Sequence, residues 1–101
     1  MLVNKNSASG SEILAGALQD HGRAVLIGEE SLGKGSAQRQ YELSDGSALA
    51  VTVSRWLTPK GVQIEGKGLA PDLEVKMTPD DFKAKGDIQL DRAVEYLTAG
   101  K

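Results

Sequence analysis

There is no cysteine in this chain of 101 residues, which excludes disulfides and thiolate metal ligands. A single histidine, His21, leaves too few imidazoles for a catalytic zinc centre, and no cofactor is expected. Four aromatic residues and scattered lysines and arginines offer neither a base-stacking surface nor a phosphate-binding patch, so nucleic acid is not an expected partner. No apolar run approaches the length of a membrane span, and the N-terminus carries no signal-peptide pattern. The formal net charge of −2 gives neither sign a dominant field. What is left, 40% hydrophobic and 26% charged, is the composition of an ordinary globular domain. The length allows at most one domain with a modest core.

The small and hydroxyl residues are concentrated in Val3-Asn4-Lys5-Asn6-Ser7-Ala8-Ser9-Gly10-Ser11-Glu12-Ile13-Leu14, which runs straight into a helical apolar pattern. Serines separated by Ala8 and Gly10 let another chain approach the backbone closely. The helix that follows leaves free N–H groups pointing back at them, a place for an anion or for an oxygen becoming one.

A serine hydroxyl is a poor nucleophile until a base takes its proton. His21 lies twelve residues beyond Ser9, about 18 Å away along a helix, so a Ser-His pair is not expected. The remaining base is a lysine. Lys34 stands in Gly33-Lys34-Gly35, just after the apolar run Ala24-Val25-Leu26-Ile27, and a Ser-Lys dyad is a known variant of triad chemistry.

Four segments in this order resemble one family. Ser7-Ala8-Ser9-Gly10-Ser11-Glu12-Ile13, Gly33-Lys34-Gly35-Ser36-Ala37-Gln38, Thr58-Pro59-Lys60-Gly61 and Gly66-Lys67-Gly68-Leu69-Ala70-Pro71-Asp72 are similar to the C-terminal processing peptidases, or tail-specific proteases. The resemblance spans almost the whole chain. It implies Ser9 as nucleophile, Lys34 as general base, Gln38 as support for the lysine and the Gly10 N–H as one oxyanion donor, the second donor lying in an upstream glycine-containing loop. It also implies protein substrates with unstructured, apolar C-termini, a PDZ domain elsewhere in the full-length chain, and export to a periplasm, envelope or lumen.

Each of these residues also has a plain structural reading. Ser9-Gly10-Ser11-Glu12 matches a capping box, in which the hydroxyl satisfies an orphan N–H and the glutamate bonds back to the capping residue. Lys34 fits a solvated loop lysine. To act as a base it must be neutral, whereas a free lysine has a pKa of about 10.4, so an apolar pocket is required around it. Gly28 to Lys34 matches the first seven positions of a phosphate-binding loop, but Gly35 replaces the hydroxyl residue and Glu29 and Glu30 would repel phosphate. Gln38 reads as an exposed strand residue. Were residues 34 to 38 a straight strand, their Cα atoms would be about 13 Å apart, so a bend is expected, with Gly35 as hinge.

The expected fold class is α/β, a fragment of a Clp-protease or crotonase-like core with a mixed sheet. Residues 10 to 21 place Ile13, Leu14, Ala17, Leu18 and His21 on one helical stripe ending at Gly22, with His21 a charge partner for the helix C-terminus. Ala24 to Gly28 reads as a buried strand. Ser36 to Leu43 and Ala48 to Leu57 form a hairpin across Asp45-Gly46, with Trp56 packed on its face. Val62 to Glu65 is a possible strand, and Leu73 to Val75 a short one. Thr78-Pro79 opens a small helix, and a last helix from Ile88 to Leu97 carries Leu90, Ala93, Val94 and Leu97 on one face. Asp45, Asp72, Asp80, Asp81, Glu29 and Glu30 fit turn or surface roles.

Met1 directly before Leu2-Val3-Asn4, which reads as the end of a core strand, points to a piece of a longer protein. Residues 1–101 are thus expected to be the C-terminal part of a catalytic domain, with its N-terminal half and the PDZ domain absent. The alternative is a non-catalytic module of the same fold that binds apolar, retinoid-like ligands, as the repeats of the interphotoreceptor retinoid-binding protein do. A plain interaction domain is the default without the motifs.

Overall fold

A computed structural model describes all 101 residues. In chain order its elements are β1 (Leu2–Val3), α1 (Gly10–Asp20), β2 (Ile27–Gly28), β3 (Ser36–Glu42), β4 (Ala48–Arg55), β5 (Leu73–Glu74), α2 (Pro79–Lys85) and α3 (Ile88–Ala99). Strands β1, β2 and β5 form a parallel sheet in the order β1-β2-β5, while β3 and β4 pair antiparallel in a separate two-stranded sheet. The fold is α/β as expected, with the parallel and antiparallel pairings kept apart. Because parallel strands must be joined by crossovers, α1 connects β1 to β2, and the connection from β2 to β5 contains the whole hairpin.

The core is small. Val3, Ala15, Leu26, Ile64 and Leu69 make one buried cluster beneath the sheet and α1. Complete burial of a residue such as Leu26 stabilises by about 1.5–3 kcal/mol. The Asp72 carboxylate ties down the approach to β2 by accepting from the Leu26 N–H at 2.7 Å.

Helix α1 begins and ends as its pattern predicts, but it buries a different face. Glu12, Ala15 and Gly16 point inward, and Ile13 and Leu14 stay exposed. Small residues win because the helix approaches its neighbours closely: a Cβ on Gly16 would sit 3.1 Å from the Thr58 methyl group. In α3 the stripe is likewise turned out. Leu90, Val94 and Leu97 are exposed and Gln89 is the buried residue, its amide donating to the Val75 carbonyl at 2.7 Å.

Other elements differ in length. The strand expected over Ala24 to Gly28 contracts to β2, and Val62 to Glu65 gives a single bridge between Leu57 and Gln63. Helix α2 has the predicted start, with the Thr78 hydroxyl accepting from the Asp81 N–H at 3.1 Å and proline in the first turn. Trp56 lies past the end of β4, half-buried, and its N–H donates to the Gly35 carbonyl at 2.7 Å. This bond ties the end of the hairpin to the lysine loop. The hairpin projects outward, with Leu49, Val51 and Val53 exposed.

Candidate functional site

The turn after β1 is built from its own side chains. The Asn4 N–H donates to the Ser7 hydroxyl at 3.0 Å, and the Ser7 N–H returns to the Asn4 carbonyl at 2.9 Å. Ser9 then adopts φ 54, ψ −116, the one non-glycine residue of the chain with positive φ. Such a conformation costs on the order of 1–3 kcal/mol and persists where the surroundings over-determine it, most often at functional sites. A serine on a sharp, strained strand-to-helix turn is the geometry that nucleophilic serines use to stand clear of the backbone.

Ser9 and Glu12 face each other as a capping box. The Ser9 N–H donates to Glu12 Oε2 at 3.0 Å. The Ser9 hydroxyl faces the Glu12 N–H in that box without closing a full hydrogen bond to it, and that N–H donates to the Ser9 carbonyl at 3.0 Å. The hydroxyl is therefore left uncommitted at the mouth of α1. Beside it the Gly10 N–H has no partner within the chain, and a Cβ on Gly10 would meet nothing within 4 Å. The turn thus presents a free hydroxyl, a free donor and open space together.

Glu12 is the residue that sequence reasoning underrated. The residue is only 1% exposed. Oε1 accepts from the Ser31 hydroxyl and the Gly33 N–H, both at 2.6 Å, and Oε2 accepts from the Lys34 N–H at 2.9 Å as well as from Ser9. Burial, the largest single influence, pushes this carboxyl's pKa up. The hydrogen bonds from Ser31, Gly33, Lys34 and Ser9 together outweigh burial and hold the pKa below the ordinary value of 4.5. Ser31 extends the network, since its hydroxyl accepts from the Leu69 N–H at 2.7 Å. The one sequence signal for this hub was the acidic residue three places after Ser9.

Glu12 brings the backbones of Ser9 and Lys34 to one oxygen atom. The Lys34 side chain is exposed and makes neither hydrogen bond nor ion pair within the chain. The apolar pocket that a lysine base requires is thus not built by these residues, because the loop lies at the surface where the hairpin leaves the body. Gln38 is exposed on β3 opposite Thr52, and the irregularity in the strand falls between Ala37 and Gln38. Gly35 lies just before the first residue of β3. It is a site of close approach, since a Cβ there would lie 2.6 Å from Ile64 Cβ and 2.8 Å from the Glu65 nitrogen. Its N–H donates to the Glu65 carboxylate at 2.8 Å.

At the other end of α1, the Thr58 hydroxyl and the Lys60 N–H hold the Asp20 carboxyl below the usual range, with the Lys60 bond at 2.9 Å. This anchors the Thr58-Pro59-Lys60-Gly61 turn to the helix. His21 follows as the exposed C-cap.

Two clefts indent the surface, and neither is lined by Ser9, Lys34 or Gln38. One of about 390 Å³ lies between the sheet and α3, lined mainly by apolar residues including Val25, Ile27, Ala93 and Leu97. The other, of about 240 Å³, is mostly polar. No group of three or more acidic or histidine side chains converges as a metal site would need, and no helix is long and apolar enough to cross a membrane.

Residues 1–75 match the family model described as Peptidase family S41. A carboxyl-terminal-processing protease of a Picosynechococcus strain is 46% identical over 101 residues, covering 97% of this chain and 24% of the relative. A solved structure of a photosystem II D1 C-terminal processing protease superposes with a TM-score of 0.71 at 44% identity, over 87% of this chain and 23% of that one. The tricorn protease shares the fold at 23% identity, with a TM-score of 0.79 over 95% of this chain and 10% of that one. The chain spans about a quarter of the length of the carboxyl-terminal-processing relatives it matches.

Proposed function

The chain belongs to peptidase family S41, and from that premise we propose that it carries the Ser/Lys half of a serine endopeptidase active site that cleaves protein chains near their C-termini. The observation that carries this reading is the Ser9 turn: positive φ, an uncommitted hydroxyl, and a backbone held to the same carboxylate oxygen as that of Lys34. In the reaction, neutral Lys34 Nζ takes the proton from Ser9 Oγ as that oxygen attacks the substrate carbonyl carbon. The Gly10 N–H donates to the oxyanion. Collapse expels the amine, which takes back the proton, and leaves an acyl group on Ser9; water then releases it by the reverse proton path. Gln38 supports the lysine in this scheme.

The exposed position of Lys34 assigns a task to the rest of the enzyme. Desolvation of its amine has to come from elements beyond these 101 residues, as does the second oxyanion donor. The outward apolar residues of the hairpin and of α3 are read as surfaces on which the remainder of a catalytic domain packs. A PDZ domain and an exported location belong to the same reading. Substrates are protein chains with unstructured, apolar C-termini.

In the full-length protein, Ser9→Ala or Lys34→Ala is expected to abolish cleavage of a peptide-tailed substrate, and a fluorophosphonate probe is expected to label Ser9. Full activity in either variant refutes the dyad. The apolar cleft beside α3 supports the second reading, a ligand carrier of the same fold; absence of labelling together with tight binding of an apolar ligand would favour it. The 101-residue chain alone is expected to cleave the tailed substrate little or not at all.

A further inference from the structure

We propose that Glu12 is the positioning residue that sets the distance between Ser9 and the Lys34 loop. This role rests on the Ser/Lys reading above and deepens it. Apart from the Leu32 N–H donating to the Ser7 carbonyl at 2.9 Å, the hydrogen bonds joining the serine turn and α1 to residues 31–34 all end on this one carboxylate. Oε2 takes the Ser9 N–H at 3.0 Å and the Lys34 N–H at 2.9 Å, so a single atom fixes both backbones. The positive φ of Ser9 is held by the same contact.

The four partners are all donors. Three are backbone N–H groups that cannot turn away, and the fourth is the Ser31 hydroxyl, which donates to Oε1 while accepting from the Leu69 N–H. Only a group with acceptors and no donor fits between them. A glutamine amide of the same shape would put its NH2 against the Gly33 N–H in one orientation, and against the Ser9 and Lys34 N–H groups in the other. The usually mild exchange of Glu for Gln therefore pries the turn and the loop apart. A displacement of about 1 Å at a reacting pair can lower the rate on the order of 100-fold without altering substrate contacts made elsewhere.

The test uses the full-length protein. Glu12→Gln is expected to lower kcat on a tailed peptide by roughly 10- to 100-fold, and to slow fluorophosphonate acylation of Ser9 by a similar factor, with KM within about twofold of wild type. A folded variant whose kcat and acylation rate are unchanged, or whose KM alone rises, overturns the proposal. Ser9→Ala run in parallel separates the two levels: its inactivity beside an indifferent Glu12→Gln removes only the positioning role, while its activity removes the dyad and the positioning role together. Should Glu12→Gln fail to fold by circular dichroism, Ser31→Ala carries the test. It takes one donor from Oε1 and is expected to lower kcat about two- to tenfold at constant KM; an unchanged kcat overturns the proposal.

Discussion

At the scale of single residues, one buried carboxylate ties acid sensitivity to the site. The Glu12 carboxyl is held below 4.5 in the folded chain, so its contribution to stability is complete above that pH and is lost as pH falls through the folded value. Glu12→Gln is expected to cost about 2–4 kcal/mol at neutral pH, and the gap between variant and wild type should narrow as the pH falls below 4.5 and through the lowered folded value. Urea titrations at neutral and acid pH measure it; a gap independent of pH would show that the charge of Glu12 is not what the four donors need. The depressed carboxyls of Asp20, Asp45 and Asp81 are common to both proteins and cancel in the difference. The sharp turn at Ser9 and the exposed loop at Lys34 were legible in the sequence because small residues and glycines mark them. Glu12 was legible only as a helix cap, since nothing in a linear pattern tells that residues 31–34 return to the same carboxylate.

At the scale of elements, helix starts and the hairpin turn were readable because they depend on neighbours in the chain. Thr78 with proline after it, and Asp45-Gly46, specify their own geometry. Which face each helix buries was not readable. The stripes Ile13, Leu14 in α1 and Leu90, Val94, Leu97 in α3 are the apolar faces of their helices, yet the residues buried are Glu12, Ala15 and Gly16 in α1 and Gln89 in α3. Space decides there, and hydrophobicity alone does not report space. The same argument governs the strand that follows the lysine loop. Gly35→Ala is expected to destabilise the chain by about 1–3 kcal/mol, because its methyl group would meet Ile64 and Glu65 backbone and Cβ atoms rather than a movable side-chain tip. A thermal melt of the variant checks this. An unchanged midpoint would show that Ile64 and Glu65 give way to the added methyl group.

At the scale of the molecule, the chain is extended for its length. Its radius of gyration is 17.0 Å, against about 13 Å for a compact domain of this size, and only 14 of 101 residues are buried, too few for the apolar faces of the hairpin and α3 to be satisfied internally. The 101-residue chain in isolation is therefore expected to associate as its concentration rises, and sedimentation should show less association after Leu97→Glu and Val53→Lys. A monomer at all concentrations, unaffected by these changes, would mean the faces are not adhesive. The family pattern spread over almost the whole sequence, so membership was legible from end to end; the open shape was not, because apolar residues look the same whether the surface that covers them is near or far along a chain.

The shape of the molecule, 59 × 33 × 16 Å, carries one more consequence. A body 16 Å through is little more than a helix laid on a sheet, two rinds with hardly any flesh between. Most substitutions on its broad sides should pass unnoticed while the slab stands alone. They would be felt once another surface closed over it, so the tolerance of each position is decided by what lies against it.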